Sequence, residues 1–213
     1  MTRLRLRIDL HVHTKHSHDC SMSVDEALQR CAARKLDGIA ITDHDSLDGV
    51  ARALAKKGSF IVIPGIEISA RNGHILALNA SELVPAGLNL ADTVDMIRDQ
   101  GALAVIAHPY SVFKTWVNNR ELEEARLSAV EVANAAQFPY RWMLRKNSEL
   151  AERLALPKTG GSDAHIPETV GRAYTIIEAD SFEVDDVIRA IELGRTEPRG
   201  NGITLFERLK KLF

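Results

Sequence analysis

Apolar residues recur along this chain in two alternating rhythms. Short, nearly unbroken apolar runs at 6–10, 38–42, 60–63, 102–107, 129–133, 158–161 and 173–177 predict strands, with 66–69 and 74–79 forming a hairpin-like or extended pair. Between them, three- and four-residue spacing predicts helices over 24–35, 47–57, 90–100, 119–125, 140–154 and 182–193. Ser23 and Glu26 stand three apart, a capping box that opens the first helix. Strands that are apolar on both faces and alternate with helices belong to a parallel sheet covered by helices. With about seven such units the pattern predicts one α/β domain, closed or nearly closed into a barrel rather than laid out as an open sheet.

No repeat, low-complexity tract or linker breaks the pattern before about Thr196, so the barrel is assigned to 1–196 and a tail to 197–213. The tail holds Pro198, Gly200 and Gly202 and then an amphipathic helix, with Leu205, Phe206, Leu209, Leu212 and Phe213 opposite Glu207, Arg208, Lys210 and Lys211. The expectation is a closing helix laid on the barrel; a dimer contact and a membrane-surface contact are the alternatives.

Composition narrows the classes. The 213 residues carry 27 Lys and Arg against 29 Asp and Glu, a net charge of −2, which argues against a basic nucleic-acid wrapper. An aromatic share of 5% argues against a base-stacking platform. The N-terminus has no apolar signal region and no stretch is long enough to span a membrane, so a soluble, cytoplasmic protein is expected. Cys20 and Cys31 are too few for a disulfide framework and are expected to be reduced.

Histidine is the informative residue type, with eight in the chain. Asp9, His11 and His13 close the first strand, and simple alternation puts all three on one face. Asp43, His44 and Asp45 follow the second strand, Glu67 sits between two isoleucines, His74 opens the next apolar run, His108 closes a later one, and Asp163 and His165 follow the short strand after Lys158. Taken singly, each is ordinary: a lone strand-end His is usually structural, and Asp43 to Asp45 would serve as a helix cap. Jointly, seven of eight His recur at strand ends with Glu67 and Asp163, where barrels build their sites. Mixed imidazole and carboxylate donors suit Zn, Mn or Fe, and there are too many for one tetrahedral ion.

The ordered set Asp9-x-His11-x-His13, Thr42-Asp43-His44, Gly65-Ile66-Glu67, Ala107-His108-Pro109 and Ser162-Asp163-x-His165 resembles the four-motif signature of the polymerase and histidinol phosphatase (PHP) superfamily. That resemblance covers residues from about Leu6 to His165 and implies a distorted seven-stranded (β/α) barrel, TIM-barrel-like, with two or three divalent metal ions at the C-terminal face of its strands. It implies one ion held by His11, His13, Glu67 and Asp163, a second by His18, His44 and His165, and a third by Glu67, His74 and His108, with Glu67 bridging. His18 is preferred over Asp19 at its position, and His16 is read as a neighbour of the site or a surface residue.

The implied chemistry is hydrolysis of a phosphomonoester, a nucleotide or small-metabolite phosphate, by a metal-activated hydroxide. Asp43, His44 and His165 are the candidates to supply a proton to the leaving group, and Lys15, Arg71, Arg141, Arg145, Lys158 and above all Arg172 those for substrate phosphate, with Asn134 at the rim. Two alternatives stand beside this reading: a 5′-3′ exonuclease or nucleoside 3′,5′-bisphosphate phosphatase, acting on a nucleotide or an oligonucleotide end, and a metal-binding module without turnover. The short segment between Glu67 and His108 leaves no room for an inserted lid domain, so an open site is expected.

Overall fold

The computed structural model describes residues 2–110 and 119–210. Nine strands form one sheet in the order β7-β6-β5-β4-β3-β2-β1-β8-β9. They are β1 (Leu4–Val12), β2 (Gly38–Ile41), β3 (Ile61–Ala70), β4 (Gly73–Leu78), β5 (Leu103–Ile106), β6 (Ala129–Asn134), β7 (Lys158–Gly161), β8 (Ala173–Ala179) and β9 (Thr196–Gly200). The helices are α1 (Val24–Ala33), α2 (Asp48–Lys56), α3 (Leu90–Asp99), α4 (Asn119–Glu124), α5 (Tyr140–Arg153), α6 (Val184–Glu192) and α7 (Leu205–Lys210). The capping box forms: Ser23 Oγ accepts from the Glu26 N–H and the Glu26 carboxylate accepts from the Ser23 N–H, an arrangement worth about 1 kcal/mol.

The sheet is mixed: part of it is parallel, as expected, and the hairpin-like pair expected at 66–69 and 74–79 is the antiparallel pair β3–β4. β1, β2 and β3 pair in parallel, as do β5, β6 and β7, but β4 runs antiparallel to both β3 and β5, and β8 antiparallel to both β1 and β9. The two apolar runs at 60–69 are one strand, β3, because Pro64 and Gly65 continue the ladder instead of breaking it. The predicted tail begins inside β9, where Pro198 is tolerated because the strand lies at the sheet edge.

The sheet curls until its ends meet, giving a nearly closed barrel. The Asp163 N–H donates to the His11 carbonyl at 2.9 Å, and the His13 N–H to the Ala164 carbonyl at 3.0 Å. A Cβ on Gly161 would stand 2.4 Å from the His11 Cβ, so this seam admits only glycine. Along β3 and β4 the inward positions change character. Ile61, Ile63, Leu76 and Leu78 join Leu6, Ile8, Leu103, Val105 and the α6 residues Val187 and Ile191 in one buried cluster, while Glu67 and His74 continue the same faces. Each fully buried isoleucine or leucine contributes about 2 kcal/mol, and this plug makes the end that carries ionisable groups affordable.

The C-terminal helix lies on the barrel with its polar side inward. Glu207 is 6% exposed, whereas Leu205, Phe206 and Leu209 are 75%, 67% and 50% exposed. Six residues present too little apolar stripe to set the orientation; instead the Glu207 carboxylate accepts from Thr204 N and Oγ1 at 2.7 and 2.9 Å and from Arg172 Nε at 3.0 Å. Leu212 and Phe213 lie outside the described residues. For the seam, Gly161→Ala is expected to cost about 1–3 kcal/mol in urea unfolding, and unchanged stability would contradict this closure.

Candidate metal centre

Four features of the backbone bring the polar residues to one end of the barrel. A register irregularity in β1 between Asp9 and Val12 breaks the alternation, so that His11 and His13 turn to Glu67 while the Asp9 carboxylate goes elsewhere, accepting from the Ser162 and Gly171 N–H groups at 2.8 Å each. A similar shift in β6 between Glu131 and Ala133 lets both Glu131 and Asn134 reach the site. The segment after β2 pairs with β3 through a single bridge, His44 to Glu67. Asp45, His108 and Asp163 hold left-handed backbone, φ 50°, 30° and 51°, and each such turn costs about 1–2 kcal/mol unless its surroundings fix it. His108 is fixed by its N–H donating to Glu131 Oε2 at 2.9 Å.

Glu67, fully buried, is the hub. Its Oε2 lies 3.1 Å from His11 Nε2, 3.0 Å from His13 Nε2 and 3.5 Å from His44 Nε2. Its Oε1 lies 2.8 Å from His74 Nδ1 and 2.9 Å from His108 Nε2. Asp163 Oδ1 stands 3.8, 3.4 and 3.4 Å from His11 Nε2, His13 Nε2 and His165 Nδ1. Three sets of ligand atoms each fall within 4.8 Å: His11, His13, Glu67 and Asp163; His13, Asp19, His44 and His165; and His44, Glu67 and His74.

This donor set fits metal ions. The two imidazole nitrogens of His11 and His13 converge to 3.1 Å over one carboxylate oxygen, as lone pairs sharing a cation would. Their outer nitrogens are tied down, His11 Nδ1 to Glu131 Oε1 at 2.9 Å and His13 Nδ1 to Ser17 Oγ at 3.0 Å, the support that orients metal-binding histidines. Among the described residues no Lys or Arg forms an ion pair with Glu67 or Glu131, so imidazoles face the buried negative charge. Burial opposes charge on His11, yet Glu67, Glu131 and Asp163 hold its imidazole well above the usual histidine range. Burial likewise opposes charge on Glu67, but His11, with hydrogen bonds from His108 and His13, holds it well below the usual carboxylate range. Burial pushes His44 down to about 4, leaving it neutral near pH 7.

Several expected roles change. Asp19, not His18, enters the cluster: Asp19 Oδ2 is 2.9 Å from His165 Nε2 and 3.8 Å from His44 Nε2, while His18 is exposed with its ring centroid 5.1 Å from that of His44. Asp43, expected to transfer a proton, accepts from Thr14 Oγ1 at 2.8 Å and Ser17 Oγ at 3.0 Å and so shapes the β1–α1 loop. Arg172 is engaged by Glu207, and Asn134 is buried, with Nδ2 donating to Glu131 Oε2 at 3.0 Å and Asp163 Oδ2 at 3.3 Å, so neither is free for substrate. Lys158 and Arg145 pair with Glu152 and Glu149. His16 is half-buried beside the loop.

Residues 9–166 match the PHP domain family and residues 143–196 match the PHP-associated family. The chain belongs to the PHP domain family. It is 33% identical over 187 residues to an uncharacterized protein of Methanocaldococcus jannaschii, covering 85% of this chain and 74% of that one. A 3′,5′-nucleoside bisphosphate phosphatase of Chromobacterium violaceum is 32% identical over 129 residues, 54% of this chain and 45% of that protein. The fold is shared with a two-domain protein of Bacteroides vulgatus containing a predicted PHP-like metal-dependent phosphoesterase, at TM-score 0.78 and 21% identity over 93% of this chain and 66% of that one. PsfC from Pseudomonas syringae shares it at TM-score 0.76 and 21% identity, covering 100% and 97%.

Within this PHP chain, Glu131 is a residue of the cluster that motif reading does not pick out. Its signal was a lone charge inside the apolar run Ala129 to Ala133, where an unpartnered carboxylate would be costly to bury. Two outcomes check the geometry by equilibrium metal binding. Asp19→Asn is expected to weaken binding about tenfold or more and His18→Ala to change it less than about twofold, and the reverse would return the ligand position to His18. Glu131→Ala, which frees the outer nitrogen of His11, is expected to weaken binding by about 10–100-fold, and wild-type affinity would remove Glu131 from the centre.

Proposed function

We propose that the chain is a metal-dependent phosphoesterase that hydrolyses a small phosphomonoester. The observation that carries this reading is Glu67 set among five imidazole nitrogens at 2.8–3.5 Å, a buried anionic hub with donors converging on it from four segments. His11, His13, Glu67 and Asp163 would hold one ion, Asp19, His44 and His165 a second, and Glu67, His74 and His108 a third. Zn, Mn or Fe suits these donors. Bound ions would supply Lewis acidity toward phosphoryl oxygens and activate water near neutral pH.

The chain's own residues do the rest. Glu131 and Ser17 fix the orientation of His11 and His13, and Asn134 restrains both Glu131 and Asp163. Lys15 and Arg71, exposed on the β1–α1 loop and the β3–β4 turn, form no ion pair among the described residues and are available to a phosphate approaching this end. With His44 and His165 given to metal and Asp43 to the β1–α1 loop, His18, exposed beside His44, becomes the candidate to protonate a departing alkoxide.

A nucleotide is favoured over a smaller metabolite by two aromatic side chains. Phe138 and Trp142, 71% and 46% exposed, follow Asn134 on the β6–α5 loop and the first turn of α5, where a base has a surface to stack on. The bisphosphate phosphatase relative supports the same class. Chelated protein is expected to lose phosphomonoesterase activity and regain it with Mn, Zn or Fe, and Glu67→Gln to lower kcat/KM on the order of 10³-fold in a phosphomonoester panel that includes nucleoside bisphosphates. Turnover that survives chelation and Glu67→Gln would overturn the reading. In the described residues no helix is long and apolar enough to cross a membrane.

A further inference from the structure

Helix α7 grips both loops that carry the far side of the metal centre. One loop, 162–172, bears Asp163 and His165, and Asp9 ties it at both ends through the Ser162 and Gly171 N–H groups. The other, 134–139, begins at Asn134, whose amide reaches Asp163 Oδ2. From α7, the buried Glu207 carboxylate holds the Arg172 guanidinium on the first loop, and Lys210 Nζ meets Glu168 Oε1 at 2.7 Å on the same loop. Arg208 donates through Nη1 to the Ala136 carbonyl at 2.8 Å and through Nη2 to the Gln137 carbonyl at 3.0 Å on the second. The segment leading into α7 adds backbone bonds to both, Asn201 N–H to the Arg172 carbonyl at 2.8 Å and Ile203 N–H to the Ala135 carbonyl at 2.9 Å.

These contacts are not equal. Lys210 and Glu168 are solvent-exposed and contribute little, as surface pairs do. Glu207 and Arg172 are shielded, and a charge left there without its partner is costly, so the pair holds its geometry. Nothing in the metal cluster touches α7 directly among the described contacts. Its reach to the ligands runs through Arg172 and the loop back to Asp163, and through Ala136 and Asn134 to the same carboxylate.

We propose that α7 is a latch on the metal centre: Glu207 and Arg208, with Arg172 as the clasped group, are positioning residues that hold Asp163 and His165 at coordinating distance, with Asn134 braced against Asp163, and so set how tightly metal is retained. This rests on the reading of the cluster as a metal centre. It also assigns Arg172 to the latch rather than to substrate.

The test compares Mn and Zn dissociation constants, by chelator competition, for the wild-type chain, Arg172→Met, Arg172→Lys, Arg208→Ala and a control, Val187→Ala, which empties part of the buried cluster under α6 and touches neither loop. Thermal unfolding of each metal-free protein is measured alongside. Arg172→Met and Arg208→Ala are expected to weaken metal binding by about tenfold, Arg172→Lys to recover most of it, and Val187→Ala to bind as wild type at equal or greater loss of stability. Wild-type affinity in both Arg172→Met and Arg208→Ala overturns the latch alone, as does equal weakening in the control. A raised KM with unchanged metal affinity in Arg172→Met also overturns it and returns Arg172 to the substrate. A wild-type chain that takes up no metal overturns the metal-centre reading and the latch with it.

Discussion

A carboxylate buried among imidazoles sets the terms for the rest of this molecule. Glu67 has no access to solvent, and an ionised carboxylate in that position costs several kcal/mol unless positive charge or hydrogen-bond donors surround it. Five histidines from four separate segments supply that surround. Once Glu67 stands there, the chain must return to the same point from β1, from the loops after β2 and β5, and from β4. An arrangement that dense in donors is poorly neutralised by protons alone, which is why cations are the natural occupant.

The sheet meets this demand by departing from regular register near the site. Below it, β3 and β4 stack isoleucines and leucines in strict alternation over α6; above it, β1 and β6 each slip register and three residues take left-handed backbone. The antiparallel β4 has a direct consequence. Because β3 turns straight back into β4, Ser69 faces His74, and His74 sits diagonally from Glu67 within reach of its carboxylate. A helical crossover at that point would have carried the chain to the opposite end of the barrel before it could offer a ligand.

Much of this was legible in the residue pattern. Helices and apolar strands announce themselves through periodicity, and the strand-end histidines with Glu67 and Asp163 formed a joint pattern that single residues could not. What escaped was whatever depends on direction rather than position. Alternation alone grouped Asp9 with His11 and His13, but the register shift separates them. His18 and Asp19 are adjacent in sequence and equally good donors, so only the path of the β1–α1 loop distinguishes them. Arg172 and Asn134 were rightly placed near strand ends, yet both are engaged by partners distant in sequence, Glu207 and Asp163. The amphipathic stripe of α7 was real in composition and decided nothing, because one ion pair and a cap outweighed three exposed apolar side chains.

Whether Glu67 is shared between metal ions is decided by anomalous diffraction at the metal absorption edges of crystals grown with Mn, Fe or Zn. A shared Glu67 gives at least two peaks, each about 2.0–2.2 Å from one of its carboxylate oxygens, with His11 and His13 nitrogens about as close to one of them. Anomalous peaks confined to surface residues, with none at bonding distance from Glu67, would contradict it.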